Sequence, residues 1–375
     1  MVQLTAPALT AVSLFSGAGG MDVGVEASGF QVLLANDLDP DACATYRANH
    51  GAHIVEGTIR DILPLAGHLA AIDLVFGGPP CQGFSVAGKM DPDDPRSQLM
   101  MSFFDVVDRV APKAFICENV KAFAELAKWE DLRRRVIGRA EKNHLVVMVV
   151  LTASDFGVPQ NRERMFLIGI DRARFPGGQE DFEELVERTL ARSKAKPCTL
   201  GEIVRKLGRA GSPENDRTCS AKITHASNPI MRRSPYAGML FNGAGRPLSA
   251  NGVASTLPAS MGGNKTPIVD EEEIFEGKAS YVEAYHRKLT AGQPARSGDA
   301  PSRLRRLTVD ECLAIQTFPD DYVLMGSKSA MYRQIGNAVP CLLAEAVAGV
   351  AAEAIGCIES AETGEFGATA LMAAE

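Results

Sequence analysis

Paired cysteines and clustered histidines are missing from this chain of 375 residues. Its eight cysteines are scattered, with no Cys-x-x-Cys pair and no histidine group at the spacing of metal ligands. Zinc sites and disulfide frameworks both need such spacing. We therefore expect neither a metal nor a disulfide scaffold, and we expect the reducing compartment of a cytoplasmic enzyme.

Long hydrophobic runs are also missing. No stretch approaches the 18 or so consecutive apolar residues that a membrane span needs, and the first ten residues carry no basic region of the kind that opens a signal peptide. We expect no membrane segment and a monomeric protein in the cytoplasm.

An excess of positive charge is the third absence. The chain has 39 Lys and Arg against 46 Asp and Glu, a net charge of −7, which argues mildly against a polyanionic partner. The segment 196–269 departs from this average, since it holds ten basic and three acidic residues. It carries +7 and the remainder −14. A solvated face would explain a charge run, but a segment of one sign in an acidic chain also suits a local polyanion surface.

What is present from residue 11 to 170 is an alternation of short apolar β-rich runs and longer amphipathic segments. Strands are predicted at 11–15, 32–35, 73–76, 114–117, 146–151 and 165–170. Helices are predicted at 20–28, 39–49, 97–110, 123–142 and 342–355. This alternation predicts an α/β fold with a mostly parallel sheet and helices on both faces. Residues 196–300, rich in Gly, Pro, Ser and Asn, form a second domain or a large insertion.

The first predicted βα turn is rich in glycine and reads Ser16-Gly17-Ala18-Gly19-Gly20. Glycines there let a ligand approach the backbone and the amides of the helix N-terminus. Asp37 follows the next strand, where nucleotide-binding folds place the carboxylate that binds ribose, and Asp61 lies in the next loop along that edge. The pattern favours an adenosine-containing cofactor, although a tight turn alone would also explain the glycines. The third glycine of the dinucleotide motif is missing, which disfavours NAD.

Cys81 follows the third predicted strand in the motif Gly77-Gly78-Pro79-Pro80-Cys81-Gln82-Gly83. A cysteine at the carboxyl end of a parallel strand faces the crevice where such sheets bind ligands. The flanking prolines and glycines interrupt a core strand, so we interpret Cys81 as a nucleophile. A free thiol has a pKa of roughly 8.5, so attack requires a proton acceptor or a lowered pKa.

Glu118 ends the next strand and should share the sheet edge with Cys81. A thiol and a carboxyl group in one crevice suit covalent attack with acid assistance, although an acidic helix cap is the simpler reading of Glu118 alone. Arg162 and Arg164 stand at i and i+2 in an extended segment. This spacing predicts that both side chains point into one site.

These motifs, with two further ones, resemble those of the DNA (cytosine-5)-methyltransferases, which use S-adenosylmethionine. The resemblance covers nearly the whole chain outside the basic segment. In chain order the matching segments are 15–20 (FSGAGG), 79–82 (PPCQ), 118–120 (ENV), 160–164 (QNRER), 306–308 with 316–319 (RLT, QTFP) and 334–340 (QIGNAVP).

The resemblance implies a Rossmann-like catalytic domain at 1–190, completed by 325–375, and a small target-recognition domain at 191–324. It also implies the site residues. The catalytic ones would be Cys81, Glu118, Arg162 and Arg164. The cofactor S-adenosyl-L-methionine, released as S-adenosyl-L-homocysteine, would be bound by Phe15, Gly17, Gly19, Asp37, Asp61, Ile62, Pro79, Asn337, Ala338 and Val339. The chain departs from the family pattern at two positions on the cofactor side. It has Ser13 where many relatives have Asp, and Asp37 where many have Glu.

The family's target base must leave the duplex stack before it can react. Residues 83–96, directly after Cys81, suit a loop that closes over the flipped base. Candidate contacts to double-stranded DNA are Gln82, Ser85, Lys89, Arg246, Asn264 and Lys265. The segments 245–247 and 260–266, which hold the last three of these residues, are the candidate DNA-reading segments. A restriction endonuclease acting on the same sequence would be a natural partner.

Three alternatives remain open at this stage. The tRNA-methylating branch of the family shares the chemistry, although its small domain is compact where this one is long and basic. A catalytically silent DNA-binding homologue is the second alternative. It would not need Cys81, Glu118 and Arg164, so the presence of all three argues against it. An NAD-dependent oxidoreductase is the third alternative.

Overall fold

The structure, a computed structural model, describes residues 9–69, 71–80 and 98–363. The chain divides into two compact units. Unit 1 comprises the described parts of Met1–Thr152, Glu163–Lys194 and Cys341–Glu375, and unit 2 comprises Ala153–Arg162 and Ala195–Pro340.

The strands are numbered along the described chain. They are β1 (Leu9–Leu14), β2 (Phe30–Asp37), β3 (Ile54–Glu56), β4 (Leu74–Gly77), β5 (Ala114–Val120), β6 (His144–Thr152), β7 (Gln160–Asn161), β8 (Glu163–Asp171), β9 (His225–Ile230), β10 (Met239–Phe241), β11 (Ala254–Ser255), β12 (Ile268–Asp270) and β13 (Leu304–Arg306).

The α-helices are numbered in the same way. They are α1 (Gly20–Ala27), α2 (Pro40–His50), α3 (Ile59–Ala66), α4 (Gln98–Val110), α5 (Lys121–Glu125), α6 (Glu130–Ala140), α7 (Gln179–Arg192), α8 (Leu200–Leu207), α9 (Glu271–Glu276), α10 (Tyr281–Thr290), α11 (Val309–Ile315), α12 (Lys328–Asn337) and α13 (Cys341–Thr363).

Unit 1 is built on a seven-stranded sheet of order β3-β2-β1-β4-β5-β8-β6. The first five strands of that order pair in parallel, and β8 runs antiparallel to both β5 and β6. β1, β4 and β5 are almost wholly buried and rich in apolar residues, as strands covered on both faces must be. The predicted α/β fold with a mostly parallel sheet is confirmed.

Helices cover both faces of this sheet. α3, α4 and α6 enclose one apolar core, which includes Phe103, Phe104, Phe115 and Trp129. α13 packs against α1 and α7 on the other face. α1 and α13 approach so closely that a Cβ atom on Gly24 would lie 2.4 Å from the backbone nitrogen of Glu345.

α13 contributes most of an apolar stretch that is longer than the sequence-based expectation of no membrane-length segment allows. A window of mean hydropathy 1.8 within Lys328–Thr363 is long and apolar enough to cross a membrane by length and composition. However, 61% of that window is buried inside the protein. Burial of this extent is what the core helix of a globular fold requires.

Unit 2 contains three short two-stranded sheets, β9 with β10, β7 with β11 and β12 with β13. Its small core includes Leu240, Phe241, Ile268 and Tyr285. Unit 2 takes in two segments outside the sequence-based 191–324, since 153–162 and 325–340 also belong to it. The reason is local pairing: β7 forms a sheet with β11, and α12 packs on α11.

Candidate active site

The loops that follow β1, β2 and β3 are tied together by hydrogen bonds. The backbone nitrogen and the hydroxyl of Ser16 both donate to the carbonyl of Asn36, at 2.9 Å each. The Asn36 amide donates to the carbonyl of Gly57 at 2.9 Å. Three carboxyl ends of parallel strands therefore form one continuous edge, where open α/β sheets bind ligands.

The glycine-rich loop has three residues in the left-handed backbone region, with φ of 54° at Phe15, 56° at Gly17 and 83° at Gly19. Glycine adopts this region freely, whereas Phe15 does so at a cost, and such outliers cluster at ligand sites. A Cβ atom on Gly17 would meet no heavy atom within 4 Å. The loop thus leaves open space in front of its backbone, as the predicted cofactor site needs.

Asp37 braces this loop directly. Its Oδ2 accepts a hydrogen bond from the backbone nitrogen of Gly17 at 2.8 Å, and its Oδ1 accepts one from Asp39 at 2.8 Å. Burial raises the pKa of Asp37, and these backbone donors oppose that rise. The shorter carboxylate noted in the sequence therefore still reaches the glycine loop.

Asp61 and Ile62 lie at the start of α3. Asp61 Oδ2 accepts from the backbone nitrogen and hydroxyl of Thr58, at 2.7 and 2.8 Å, which lowers the pKa of its exposed carboxyl. The side chain of Ile62 is wholly buried in the core. Only its backbone can face the loop edge.

Glu118 and Arg164 form an ion pair at the end of β5. Val120 pairs with Arg164 across β5 and β8, so Glu118 and Arg164 share one sheet face as diagonal neighbours. Arg164 Nε lies 2.8 Å from Glu118 Oε1, and both side chains are largely buried, with exposed fractions of 13% and 12%.

The same carboxylate lies against the segment that leads to Cys81. A Cβ atom on Gly78 would stand 2.8 Å from Glu118 Oε2. Asn119, buried beside it, donates to the carbonyl of Pro79 at 3.2 Å. The end of β5 therefore fixes the Gly78-Pro79 backbone and presents a carboxylate to it. Cys81 itself, with Gln82, Ser85 and Lys89, lies outside the described residues.

Arg162 has hydrogen-bond partners within unit 2. The strand breaks between β7 and β8 at Arg162, which belongs to unit 2, whereas Arg164 belongs to unit 1. Arg162 donates to the carbonyls of Leu257 at 3.2 Å and Gly336 at 3.0 Å. The alternation argument for a common site assumed an uninterrupted strand.

Two groups of predicted site residues lie in unit 2. Asn337 ends α12, and Ala338 and Val339 follow it. Of the DNA candidates, Arg246, Asn264 and Lys265 are exposed. The backbone nitrogen of Gly245 donates to the carbonyl of Asn264 at 2.9 Å. The structure thus brings the two predicted DNA-reading segments side by side.

The family profile of C-5 cytosine-specific DNA methylases matches residues 9–353. The chain belongs to this family. The methylase is therefore an enzyme that methylates carbon 5 of cytosine in DNA, and its reaction requires a methyl donor.

Named relatives resemble the methylase over most of its length. It is 33% identical over 353 residues to the type II methyltransferase M1.HphI of Haemophilus parahaemolyticus, covering 91% of this chain and 86% of that protein. It is 30% identical over 344 residues to M.MthTI of Methanothermobacter thermautotrophicus, covering 90% and 94%.

Solved structures agree on the fold. A DNA modification methyltransferase encoded within an Escherichia coli prophage superposes with a TM-score of 0.62 at 21% identity, covering 93% of this chain and 99% of that one. The S. pombe Dnmt2 methyltransferase gives 0.60 at 19% identity, covering 93% and 98%.

Leu38 is a candidate cofactor contact that sequence reasoning missed. Its side chain is 67% exposed, directly after the loop-bracing Asp37. An apolar side chain left open at the edge of a ligand site suits contact with a flat aromatic ring. The signal in the sequence was a leucine between two aspartates, where a turn would ordinarily carry a polar residue.

Proposed function

We propose that the methylase transfers a methyl group from S-adenosylmethionine to a cytosine flipped out of a specific short duplex sequence, with Cys81 as the nucleophile. The observation that carries the proposal is the buried Glu118–Arg164 pair, which lies against Gly78, three residues before Cys81. A carboxyl group and a guanidinium held beside the segment that leads to the nucleophile are what attack on a pyrimidine ring requires.

The residues at the sheet edge fit an adenosyl cofactor. Phe15 and Leu38 offer apolar contact to the adenine, Asp37 offers a carboxylate to the ribose, and Gly17 and Gly19 permit close backbone approach. Asp61, the backbone of Ile62, Pro79 and Asn337–Val339 complete the proposed set. When bound, S-adenosylmethionine supplies an electrophilic methyl group on sulfonium.

The remaining chemistry belongs to this chain's own residues. The Cys81 thiolate adds to carbon 6, and the electron pair of the 5,6 double bond becomes available at carbon 5, which takes the methyl group. Once its carboxyl group has taken up a proton, Glu118 donates a hydrogen bond to ring nitrogen 3 and limits the charge that develops there, while Arg164 orients Glu118 and the base. Loss of the carbon 5 proton to a water then expels Cys81 and restores the aromatic ring.

Unit 2 is the proposed DNA-reading part. Three basic residues of 196–269 are neutralised by ion pairs, namely Lys206 with Asp320, Arg209 with Glu276 and Arg217 with Asp310. Within the described residues of 196–269, seven exposed basic side chains have no carboxylate at ion-pair distance: Lys196, Arg205, Lys222, Arg232, Arg233, Arg246 and Lys265. Unpaired cations of this kind are suited to phosphates, and polar neighbours to base edges.

The nucleophile is tested by methylation of duplex DNA with labelled S-adenosylmethionine. Cys81→Ser should lose at least 1000-fold in turnover, because a serine hydroxyl is a far weaker nucleophile. It should also fail to form a covalent complex on DNA containing 5-fluorocytosine, which traps the wild-type enzyme. Full turnover by Cys81→Ser would reject the mechanism, and equal methylation of tRNA would reject the choice of substrate.

The named relatives are type II methyltransferases. We therefore place the methylase in a restriction-modification system in the bacterial cytoplasm, as a monomer whose partner endonuclease cuts the same sequence. Bisulfite sequencing of DNA from expressing cells should show one short methylated motif. Random methylation would exclude a modification role. Sedimentation should show a monomer.

A further inference from the structure

Arg162 joins two segments of unit 2 that the proposed function assigns to different ligands. Arg162 as a whole is 2% exposed. It donates to the carbonyl of Leu257, just before the predicted DNA-reading residues 260–266, and to the carbonyl of Gly336, just before Asn337. One buried cation therefore binds the backbone on both the DNA side and the cofactor side.

Gln160 and Gln316 make a parallel connection between the same two segments. Gln160 Oε1 accepts from the backbone nitrogen of Leu257 at 3.0 Å, and its Nε2 donates to Gln316 Oε1 at 2.9 Å. Gln316 Nε2 donates in turn to the carbonyls of Ile335 at 2.6 Å and Ala338 at 3.2 Å. Both glutamines are fully buried.

The two segments also touch without any side chain between them. A Cβ atom on Gly336 would lie 2.5 Å from the backbone nitrogen and Cα of Ala259. This contact, with the two side-chain connections, leaves no room for one segment to shift without the other.

From this geometry we infer that Arg162 is a positioning residue, which with the Gln160–Gln316 pair fixes 257–259 to 335–338 and so couples DNA binding to cofactor binding. The inference rests on the proposed function for the identity of the two ligands. It differs from the sequence-based expectation, in which Arg162 joins Arg164 at the target base. A buried guanidinium whose two terminal nitrogens donate to the carbonyls of two segments holds both backbones in place.

The experiment measures both ligands in Arg162→Gln, with Arg246→Gln as the matched control. Arg162→Gln should raise the Kd for S-adenosylhomocysteine and the KM for DNA by tenfold or more each, with kcat at saturation within threefold. The ratio of cofactor affinities with and without DNA should fall toward one. Arg246→Gln should raise the KM for DNA alone. Arg162→Lys, which keeps a donor to the carbonyls, should recover part of both affinities.

The opposite pattern overturns the inference. A kcat loss of 100-fold in Arg162→Gln with unchanged cofactor affinity would make Arg162 a catalytic residue at the base. Should Arg162→Gln fail to fold, Gln316→Asn provides the same test, because its shorter amide cannot reach both carbonyls. An unchanged cofactor affinity in that variant would equally reject the coupling.

Amide hydrogen exchange separates this inference from the proposed function. In Arg162→Lys without ligands, residues 256–266 and 335–339 should gain exchange together by a similar factor. Faster exchange in only one segment would refute the coupling, even if the wild-type enzyme methylates DNA as proposed. A wild-type enzyme that methylates no cytosine would refute the function while leaving the exchange result intact.

Discussion

At the residue scale, the site depends on side chains that lie close to the backbone of a glycine, and the sequence shows only the glycine. Gly78 has no Cβ atom, and the space is taken by the Glu118 carboxylate. The carboxylate ends a flexible side chain, so it can move away at little cost in folding free energy. A methyl group at residue 78 should therefore disturb chemistry more than stability.

Gly78→Ala is accordingly expected to lower kcat by tenfold or more while the unfolding midpoint changes little. The matched control is Gly138→Ala in α6, where the added Cβ atom meets nothing within 4 Å. That exposed helical site should gain roughly 1 kcal/mol in stability with activity unchanged. Steady-state kinetics and urea unfolding check both; equal kcat in the two variants would contradict the assigned contact.

Asp22 gives a prediction for pH. Burial raises its pKa to about 6, although the opposing charge of His50 and a hydrogen bond from Tyr46 lower it. The Tyr46 hydroxyl lies 2.9 Å from Asp22 Oδ1 and 3.1 Å from His53 Nε2. The folded state binds more protons at Asp22 between its unfolded pKa, about 4, and 6. Stability is therefore lost as pH rises through that window, by about 3 kcal/mol.

Asp22→Asn should remove this loss. The free energy of unfolding of the variant should therefore rise relative to that of the wild type between pH 4.5 and pH 7.5. For His50, burial lowers the pKa, but the hydrogen bond that the ring donates to Glu26 and the charges of Asp22 and Glu26 raise the pKa overall, which acts in the same direction. Burial lowers the pKa of His53, which acts in the opposite one. Urea unfolding at both pH values measures the difference; a constant gap would show that Asp22 does not titrate there.

At the element scale, α11 is held by a buried cap. Thr308 accepts from the backbone nitrogen of Glu311 at 3.0 Å and donates to Asn215 Oδ1 at 2.5 Å, with its side chain fully buried. Thr308→Ala removes the cap and leaves a buried amide unsatisfied, so it should cost about 3 kcal/mol. Thr199→Ala, at the exposed cap of α8, should cost about 1 kcal/mol. Thermal unfolding compares the two; equal losses would contradict the buried network.

The sequence pattern was informative for elements with strong hydrophobic periodicity. All six predicted strands of the sheet exist, because each contains a short run of apolar residues. β3 and α3 were missed because they are short, and α7 because its polar face hides the apolar stripe of Phe182, Leu185 and Val186. The helix predicted at 123–142 is interrupted, since Leu126 is extended between α5 and the turn that buries Trp129.

The candidate site also has a part that the sequence could predict and a part that it could not. Motif order grouped Glu118 and Arg164 in one catalytic set, and the structure places them as neighbours because the end of β5 pairs with the start of β8. It could not separate Arg162 from Arg164, because the strand break at residue 162 depends on pairing with a segment about 95 residues further along the chain.

At the scale of the whole molecule, the net charge of −7 conceals the exposed basic residues of 196–269 that have no ion-pair partner. DNA affinity should fall steeply with salt despite the acidic average. Arg232→Gln and Arg233→Gln should each reduce the salt slope by about one. Lys206→Gln, whose charge is already paired with Asp320, should leave the slope unchanged. Fluorescence anisotropy across a salt series checks this; equal slopes in all variants would exclude these phosphate contacts.

The close packing of Gly24 on α13 has a consequence for biosynthesis. α1 begins at Gly20, whereas the helix of 23 residues that packs against it begins at Cys341, so the ribosome makes α1 long before its partner. A growing chain therefore carries the glycine loop, Asp37 and Asp61 without the surface that holds α1 in place. Unit 1 matures only after α13 has been made, so nascent chains that lack α13 should be unable to methylate DNA.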